Sequence, residues 1–250
     1  MNAVDLQHVS LSFADHAILT NIGLSVEQGT TSVILGPSGA GKSSVLKIIL
    51  GLWRPTAGNV FINGTDTTAC TEEELLPFRR KMAMVFQSNA LFDSMTVAEN
   101  IAFFLREHRM LNRQEIRERI RESLAFVNLE GTERLYPEEL SGGMKKRVAI
   151  ARAIAFHPDI ILYDEPTTGL DPINGNAVVD LILRLQQRGT TSIIVTHHLK
   201  NAFSVGNSFS IIIDGVIAAA GTANDILASS DPFVVEFLDD IHEHKPFTIH

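Results

Sequence analysis

The sequence predicts an α/β protein: a mostly parallel, three-layer core, an antiparallel β subdomain ahead of it and an all-helical insert within it. Three observations carry that expectation. Short β-branched or aliphatic runs, TSVIL at 31–35 and IILY at 160–163, alternate with stretches of helical period, as strands flanked by helices do. The N-terminal residues instead alternate apolar and polar positions, the pattern of strands with one wet face. Between Asn89 and His157 the pattern is mostly helical.

In chain order, Val4–Phe13 and Ile18–Val26 read as antiparallel strands and Thr31–Leu35 as a buried one ending at Gly36. From Lys42 to Leu52 the period becomes helical, with Val45, Leu46, Ile49 and Leu50 on one face. RPTAGNVFINGTD reads as turn, strand, turn; TEEELLPFRR as helix; Met82–Phe86 as a short strand. NRQEIRERIRESLAFV spaces Ile116, Ile120, Leu124 and Val127 for a helix, and its Glu and Arg residues, including the Glu115/Arg119 pair, read as a solvated face. Then follow a strand at Ile160–Tyr163, a helix near Gly175–Gln187, a strand at Ser192–Thr196 and a hairpin around Ile211–Ala220.

The 250 residues are 45% apolar and 20% charged, an ordinary globular composition rather than a disordered one. A net charge of −8 disfavours nucleic acid as a partner. A single cysteine, Cys70, excludes an internal disulfide and reads as a plain thiol in a reducing compartment. No run reaches the ~18 apolar residues of a membrane span. MNAVDLQHVS has no basic cluster before an apolar stretch, so a cytoplasmic chain without a signal peptide is expected. His242 and His244 resemble half a metal site, but on a polar tail they read as exposed side chains.

The chemistry begins at GPSGAGKS, residues 36–43, which matches G-x-x-x-x-G-K-[ST] between an apolar strand and a helix. The loop of Gly36, Pro37, Ser38, Gly39, Ala40 and Gly41 would wrap phosphates in backbone N–H groups, every residue but Pro37 supplying one, with Ser44 next in the helix. Lys42 would reach the β- and γ-phosphates, and Ser43 would bind Mg²⁺. IILYDE, residues 160–165, delivers two acids at a strand's C-terminal end, where open α/β sheets place ligands. Beside a phosphate loop, Asp164 would hold Mg²⁺ and Glu165 would orient or deprotonate the attacking water. LSGGMKKR, residues 140–147, opens a further helix on a serine and two glycines, a second anion-binding helix start.

GPSGAGKS, MVFQSNALF, LSGGM, IILYDEPTTGLDP and IIVTHH, in this order over the whole chain, resemble the ABC-type ATPases. The resemblance implies a P-loop NTPase (RecA-like) core at 1–88 and 158–230, a helical subdomain at 89–157 and a C-terminal tail at 231–250, together one ATPase domain. It implies ATP and Mg²⁺ as cofactors and the following roles. Gln87 would sense Mg²⁺ and the attacking water, His197 would contact the γ-phosphate, Asp171 would join two protomers and Phe13 would stack on adenine. Two copies would pair head to tail, so that Ser141, Gly142 and Gly143 of one close over the nucleotide of the other. Met144 for the usual glutamine, His198 for an acid and Tyr163 before the acids depart from the family's pattern without removing a catalytic group.

QSNALFDSMTVAENIAFFLREH and SDPFVVEFLDD resemble the ATPases of Mla-type phospholipid transporters. That likeness implies a separate membrane permease received by a groove after Gln87, an MCE-domain partner, and a peripheral place on the cytoplasmic side of the inner membrane. Another ABC importer for a small polar solute, or a soluble non-transport ABC ATPase, is the alternative.

Overall fold

The computed structural model describes residues 1–14 and 16–242. The chain first forms antiparallel strands β1 (Asn2–Phe13) and β2 (His16–Glu27), then β3 (Thr31–Leu35) and helix α1 (Lys42–Ile49). Strands β4 (Ala57–Ile62) and β5 (Thr65–Asp66), helix α2 (Glu72–Arg79) and strand β6 (Met82–Val85) follow. Helices α3 (Val97–Glu107), α4 (Arg113–Phe126) and α5 (Gly142–Ile154) precede β7 (Ile160–Asp164), α6 (Pro172–Gln186) and β8 (Thr191–Thr196). The chain closes with α7 (Leu199–Val205), β9 (Ser208–Ile213), β10 (Val216–Gly221), α8 (Ala223–Leu227) and α9 (Pro232–His242).

Two sheets result. One has four antiparallel strands in the order β2-β1-β4-β5; the other has six in the order β10-β9-β3-β8-β7-β6. In the larger sheet β9, β3, β8, β7 and β6 are mutually parallel, and only β10 runs against its neighbour. Its central strands bury both faces, which explains their unbroken apolar runs. Val33, Leu35, Ile161, Tyr163 and Ile194 share a core with α5, α6 and α7, and α3 and α4 pack in turn on α5. Ile34, Ile160, Leu162, Ile193 and Val195 face α1 and the antiparallel sheet. Alternate residues of the same strands therefore hold α1 and α5 on opposite sides.

The residue-level reasons are ordinary ones. Helices α2, α3 and α4 each begin in a capping box, Thr71 with Glu74, Thr96 with Glu99 and Asn112 with Glu115. Helix α1 buries Val45, Leu46, Ile48 and Ile49, each contributing roughly 1.5–3 kcal/mol by leaving water. It stops at Ile49 rather than Leu52, because Leu50 caps it and Gly51 turns left-handed at φ 66°.

Glu115 and Arg119, read from the sequence as part of a solvated face, turn apart, and Arg119 is largely covered. Glu115 folds back to accept from the Asn112 N–H at 2.7 Å, while Arg119 reaches Glu122 at 3.3 Å and donates to the Ala155 carbonyl at 3.0 Å. The capping box takes the carboxylate that the helical spacing assigns to Arg119. The segment after β10 is helical, with Val234 and Leu238 of α9 buried in the core. Of the His242/His244 pair, His244 lies outside the described residues, as does the side chain of His242.

Candidate functional site

The phosphate loop joins β3 to α1 by a backbone only glycine accommodates easily. Gly36, Gly39 and Gly41 have φ of 149°, 85° and 96°. A Cβ on Gly36 would sit 2.1 Å from the Ile212 carbonyl oxygen, and one on Gly41 would sit 2.7 Å from Leu19 Cδ2. A Cβ on Gly39 would meet nothing within 4 Å, so the loop is open on that side. Pro37 and Ser38 are exposed beside it, and Ala40 and Ser44 are buried behind it. Lys42 Nζ donates to the Gly36 and Pro37 carbonyls, each at 2.8 Å. Burial holds the Lys42 ammonium below its usual pKa, against the opposing pull of Glu165 and Asp164.

Strand β7 lies two places from β3, with β8 between them, and all three are parallel. That register brings Asp164 to the loop: Ser43 Oγ donates to Asp164 Oδ1 at 2.8 Å. Glu165 follows at φ 47°, a left-handed conformation rare for glutamate, with its N–H donating to the Val195 carbonyl at 2.9 Å. Its side chain is buried and held from two directions. Oε2 accepts from Thr168 Oγ1 and Thr196 Oγ1, both at 3.0 Å, and Oε1 pairs with His197 Nδ1 at 2.7 Å. An ionised carboxylate only accepts, so Nδ1 carries the hydrogen in that pair. Thr168 and Thr196 are the site residues that reading the sequence missed. They lie in PTTGLDP and IIVTHH, and nothing in their spacing distinguishes them from capping threonines. His198 stacks its ring on His197 with 4.2 Å between centroids, and burial lowers its pKa, with His197 adding to the effect.

Two further residues stand at the margins. Gln87 is exposed, two residues beyond β6, and its backbone carbonyl accepts from Lys146 Nζ at 2.9 Å. Phe13, at the end of β1, is 49% exposed and meets Trp53 edge-on with centroids 5.1 Å apart. Lys47 Nζ lies 4.1 Å over the other ring of that pair.

The second helix start is built differently and lies elsewhere. Ser141 caps α5, its Oγ accepting from the Met144 N–H at 3.3 Å. Ser141 and Gly142 are exposed, and nothing lies within 4 Å of a Cβ placed on Gly142. Gly143 is buried against α6, where a Cβ would stand 2.3 Å from Asn174 Oδ1. Asn174 in turn donates to Asp171 Oδ2 at 2.6 Å, while Asp171 Oδ1 caps α6 by accepting from the N–H groups of Ile173 and Asn174. These bonds hold the Asp171 carboxyl below its usual range. Ser141, Gly142, Asn174 and Asp171, with Gly143 packed beneath them, thus lie together on the α5 side of the sheet, whereas the 36–43 loop belongs to the α1 side.

The family model described as ABC transporter matches residues 19–168, from within β2 through Thr168. The chain belongs to the ABC transporter family. As an ABC cassette it binds ATP and hydrolyses it. It is 40% identical over 238 residues to the intermembrane phospholipid transport system ATP-binding protein MlaF of Haemophilus influenzae, covering 95% of this chain and 90% of that protein. The MlaF of Escherichia coli K12 is 40% identical over 241 residues, 96% of this chain and 90% of its own. The probable ribonucleotide transport ATP-binding protein mkl of Mycobacterium leprae is 39% identical over 238 residues, 95% of this chain and 69% of its own. Among solved structures, the ATP-binding cassette MJ0796, a dimer in a post-hydrolysis state with ADP and Pi, superposes with a TM-score of 0.81. It is 35% identical, over 88% of this chain and 98% of that one.

Other parts of the cassette bear on what it docks to. Of the apolar residues after Gln87, Val97 and Ile101 are wholly buried, whereas Leu91, Met95, Phe103 and Phe104 are half-buried. Phe92 is exposed and stacks on Phe103 with centroids 4.6 Å apart. Among the described residues no helix is long and apolar enough to cross a membrane.

Proposed function

We propose that this cassette drives phospholipid transport between the inner and outer membranes, with a separate permease and an MCE-domain lipid-binding protein. The observation that carries this reading is the 40% identity extending over nine-tenths of MlaF. The exposed Phe92 with the half-buried Phe103 and Phe104 supply an apolar surface of the kind that receives a permease helix. The cassette would sit on the cytoplasmic side of the inner membrane, held there by that permease. Nucleic acid is not among the partners proposed.

In the division proposed, residues 1–88 and 158–230 make the catalytic core, 89–157 the helical subdomain and 231–250 a tail. Backbone N–H groups of the 36–43 loop bind the phosphates of ATP, and Lys42 turns from its own loop carbonyls toward the β- and γ-phosphates. Phe13 stacks on the adenine. Ser43 and Asp164, whose oxygens are already 2.8 Å apart, would hold Mg²⁺, an ion that takes oxygen ligands and few of them from protein, and Gln87 would reach it from the end of β6. When bound, that ion supplies charge stabilisation to the transferring phosphoryl group. Glu165 orients the attacking water and accepts its proton as the oxygen bonds to the γ-phosphorus and the bond to the leaving ADP oxygen breaks. Thr168, Thr196 and His197 fix the carboxylate for this task, and His197 also contacts the γ-phosphate. Two copies pair head to tail, Asp171 at the junction. Ser141, Gly142 and Gly143 of each then meet the γ-phosphate held by the other.

The test is purification of the tagged chain from gently solubilised membranes. Co-purification of a permease, an MCE-domain protein and phospholipid is the expected result. A permease with a soluble solute-binding protein, or with nucleotide cargo as the mkl name describes, would refute the lipid assignment while keeping the transporter.

A further inference from the structure

Lys146 lies in the second turn of α5, and its side chain does not behave as part of a surface basic run. It is 1% exposed. Its Nζ donates to the Phe86 carbonyl at 3.1 Å and the Gln87 carbonyl at 2.9 Å, across 60 and 59 residues of sequence. Burying an ammonium costs several kcal/mol of hydration unless good acceptors replace the water. An aliphatic side chain would fill the same core position without that cost, so volume does not explain a lysine here.

The same helix grips the same segment again two turns later. Arg152 Nη1 donates to the Ala90 carbonyl at 2.6 Å and Nη2 to the Asn89 carbonyl at 3.0 Å. Asn89 and Ala90 both have positive φ, 66° and 48°, conformations that cost non-glycine residues energy and persist only where surroundings impose them. Four hydrogen bonds from one helix thus set the path of residues 86–90. Among the described residues, the Gln87 side chain makes no hydrogen bond of its own. Its placement therefore depends on this backbone anchoring.

We propose that Lys146 is a positioning residue for ATP hydrolysis: by holding the Phe86 and Gln87 carbonyls it locks Gln87 to the helix that starts at Ser141. Gln87 and Ser141 then arrive at a nucleotide together, one from within the copy and one for the copy opposite. The inference rests on the role proposed for Gln87.

A double-mutant cycle in the purified transporter complex tests it. Lys146→Met removes the donor and keeps the length; Lys146→Gln keeps a donor without charge. Lys146→Met should lower kcat about tenfold, equivalent to ~1.4 kcal/mol in the barrier, with the KM for ATP unchanged. Lys146→Gln should recover most of the rate. In a Gln87→Ala background, Lys146→Met should add almost nothing. Multiplying losses in the double variant, or equal impairment of Lys146→Met and Lys146→Gln, overturns the inference while leaving the Gln87 role intact. A wild-type rate in Gln87→Ala removes that role and the inference with it. Should Lys146→Met fail to fold, Lys146→Gln carries the test alone: a near-normal rate supports the donor role, and a tenfold loss in kcat refutes it.

Discussion

Replacing Glu165 with glutamine separates chemistry from architecture at this site. Glu165 is 8% exposed, and its carboxylate engages Thr168, Thr196 and His197. A glutamine of the same shape keeps a partner for each. Its amide oxygen accepts from the two threonine hydroxyls, and its NH₂ faces His197 Nδ1, which accepts in the other tautomer. The buried charge disappears with its desolvation cost, so the fold should change in stability by about 1 kcal/mol or less. Catalysis has no such compensation, because an amide takes no proton from water. Loss of a general base lowers turnover by about 10²–10⁴, or roughly 3–5.5 kcal/mol in the barrier. Phosphate release at saturating ATP, thermal unfolding and light scattering in ATP measure the three quantities. The expected set is a near-abolished rate, an unchanged melting temperature and an ATP-stabilised dimer. Turnover within about threefold of wild type would show that Glu165 is not the base. A fall in rate matched by an equal loss of ATP affinity would refute the separation of roles.

Lys42→Ala should weaken ATP binding, whereas Ser141→Arg should bind ATP normally and abolish hydrolysis; equal binding defects by titration would contradict a cis and trans division. Phe13→Ala should weaken ATP binding by about 5- to 150-fold, the effect of losing ~1–3 kcal/mol of base stacking, with kcat at saturation unchanged. Trp53, the single tryptophan, lies against Phe13 and should report ATP binding by its emission, a signal the variant should lose. Hydrogen bonds from the Thr96 N–H and hydroxyl hold the Glu99 carboxyl below its usual pKa. A depressed folded value means the stabilisation is full above the unfolded carboxylate pKa of about 4.3 and is lost as pH falls through the folded one. Urea midpoints of Glu99→Gln should therefore lie below wild type at neutral pH and converge with it in acid; a pH-independent gap would refute the assignment.

Much of this architecture is legible in the residues themselves because local signals and tertiary packing agree. TSVIL and IILY are buried on both faces and read as unbroken apolar runs; the alternation of the N-terminal strands reports one wet face. GPSGAGKS carries its own geometry in its glycines. What the residues alone do not reveal comes from contacts distant in sequence or from short elements. Thr196 looks like any threonine at a strand end until β7 and β8 are laid side by side and its hydroxyl meets Glu165. Lys146 looks like a solvated base in MKKR until the fold carries Phe86 and Gln87 beneath it. Helices α7 and α8 span only seven and five residues, too few turns for a helical period to emerge. Helix α9 did have a signal: Asp231 before Pro232, with Val234 and Leu238 one turn apart, is a cap followed by a buried stripe.

The placing of α1 and α5 on opposite faces of one sheet has a consequence for how this ATPase meets dilution. If the nucleotide is completed only by the α5 start of another copy, the active species is a pair; pairs in dilute solution fall as the square of the protein concentration, so the rate per molecule falls in proportion to it. A permease that seats two copies side by side changes that regime. Tethering gives each copy an effective concentration of its neighbour that reaches about millimolar for short connections, far above what free encounter in a cell would supply. On the proposed function the membrane partner would serve as an activator as well as a load: free cassettes would idle, and ATP would be consumed where there is something to move.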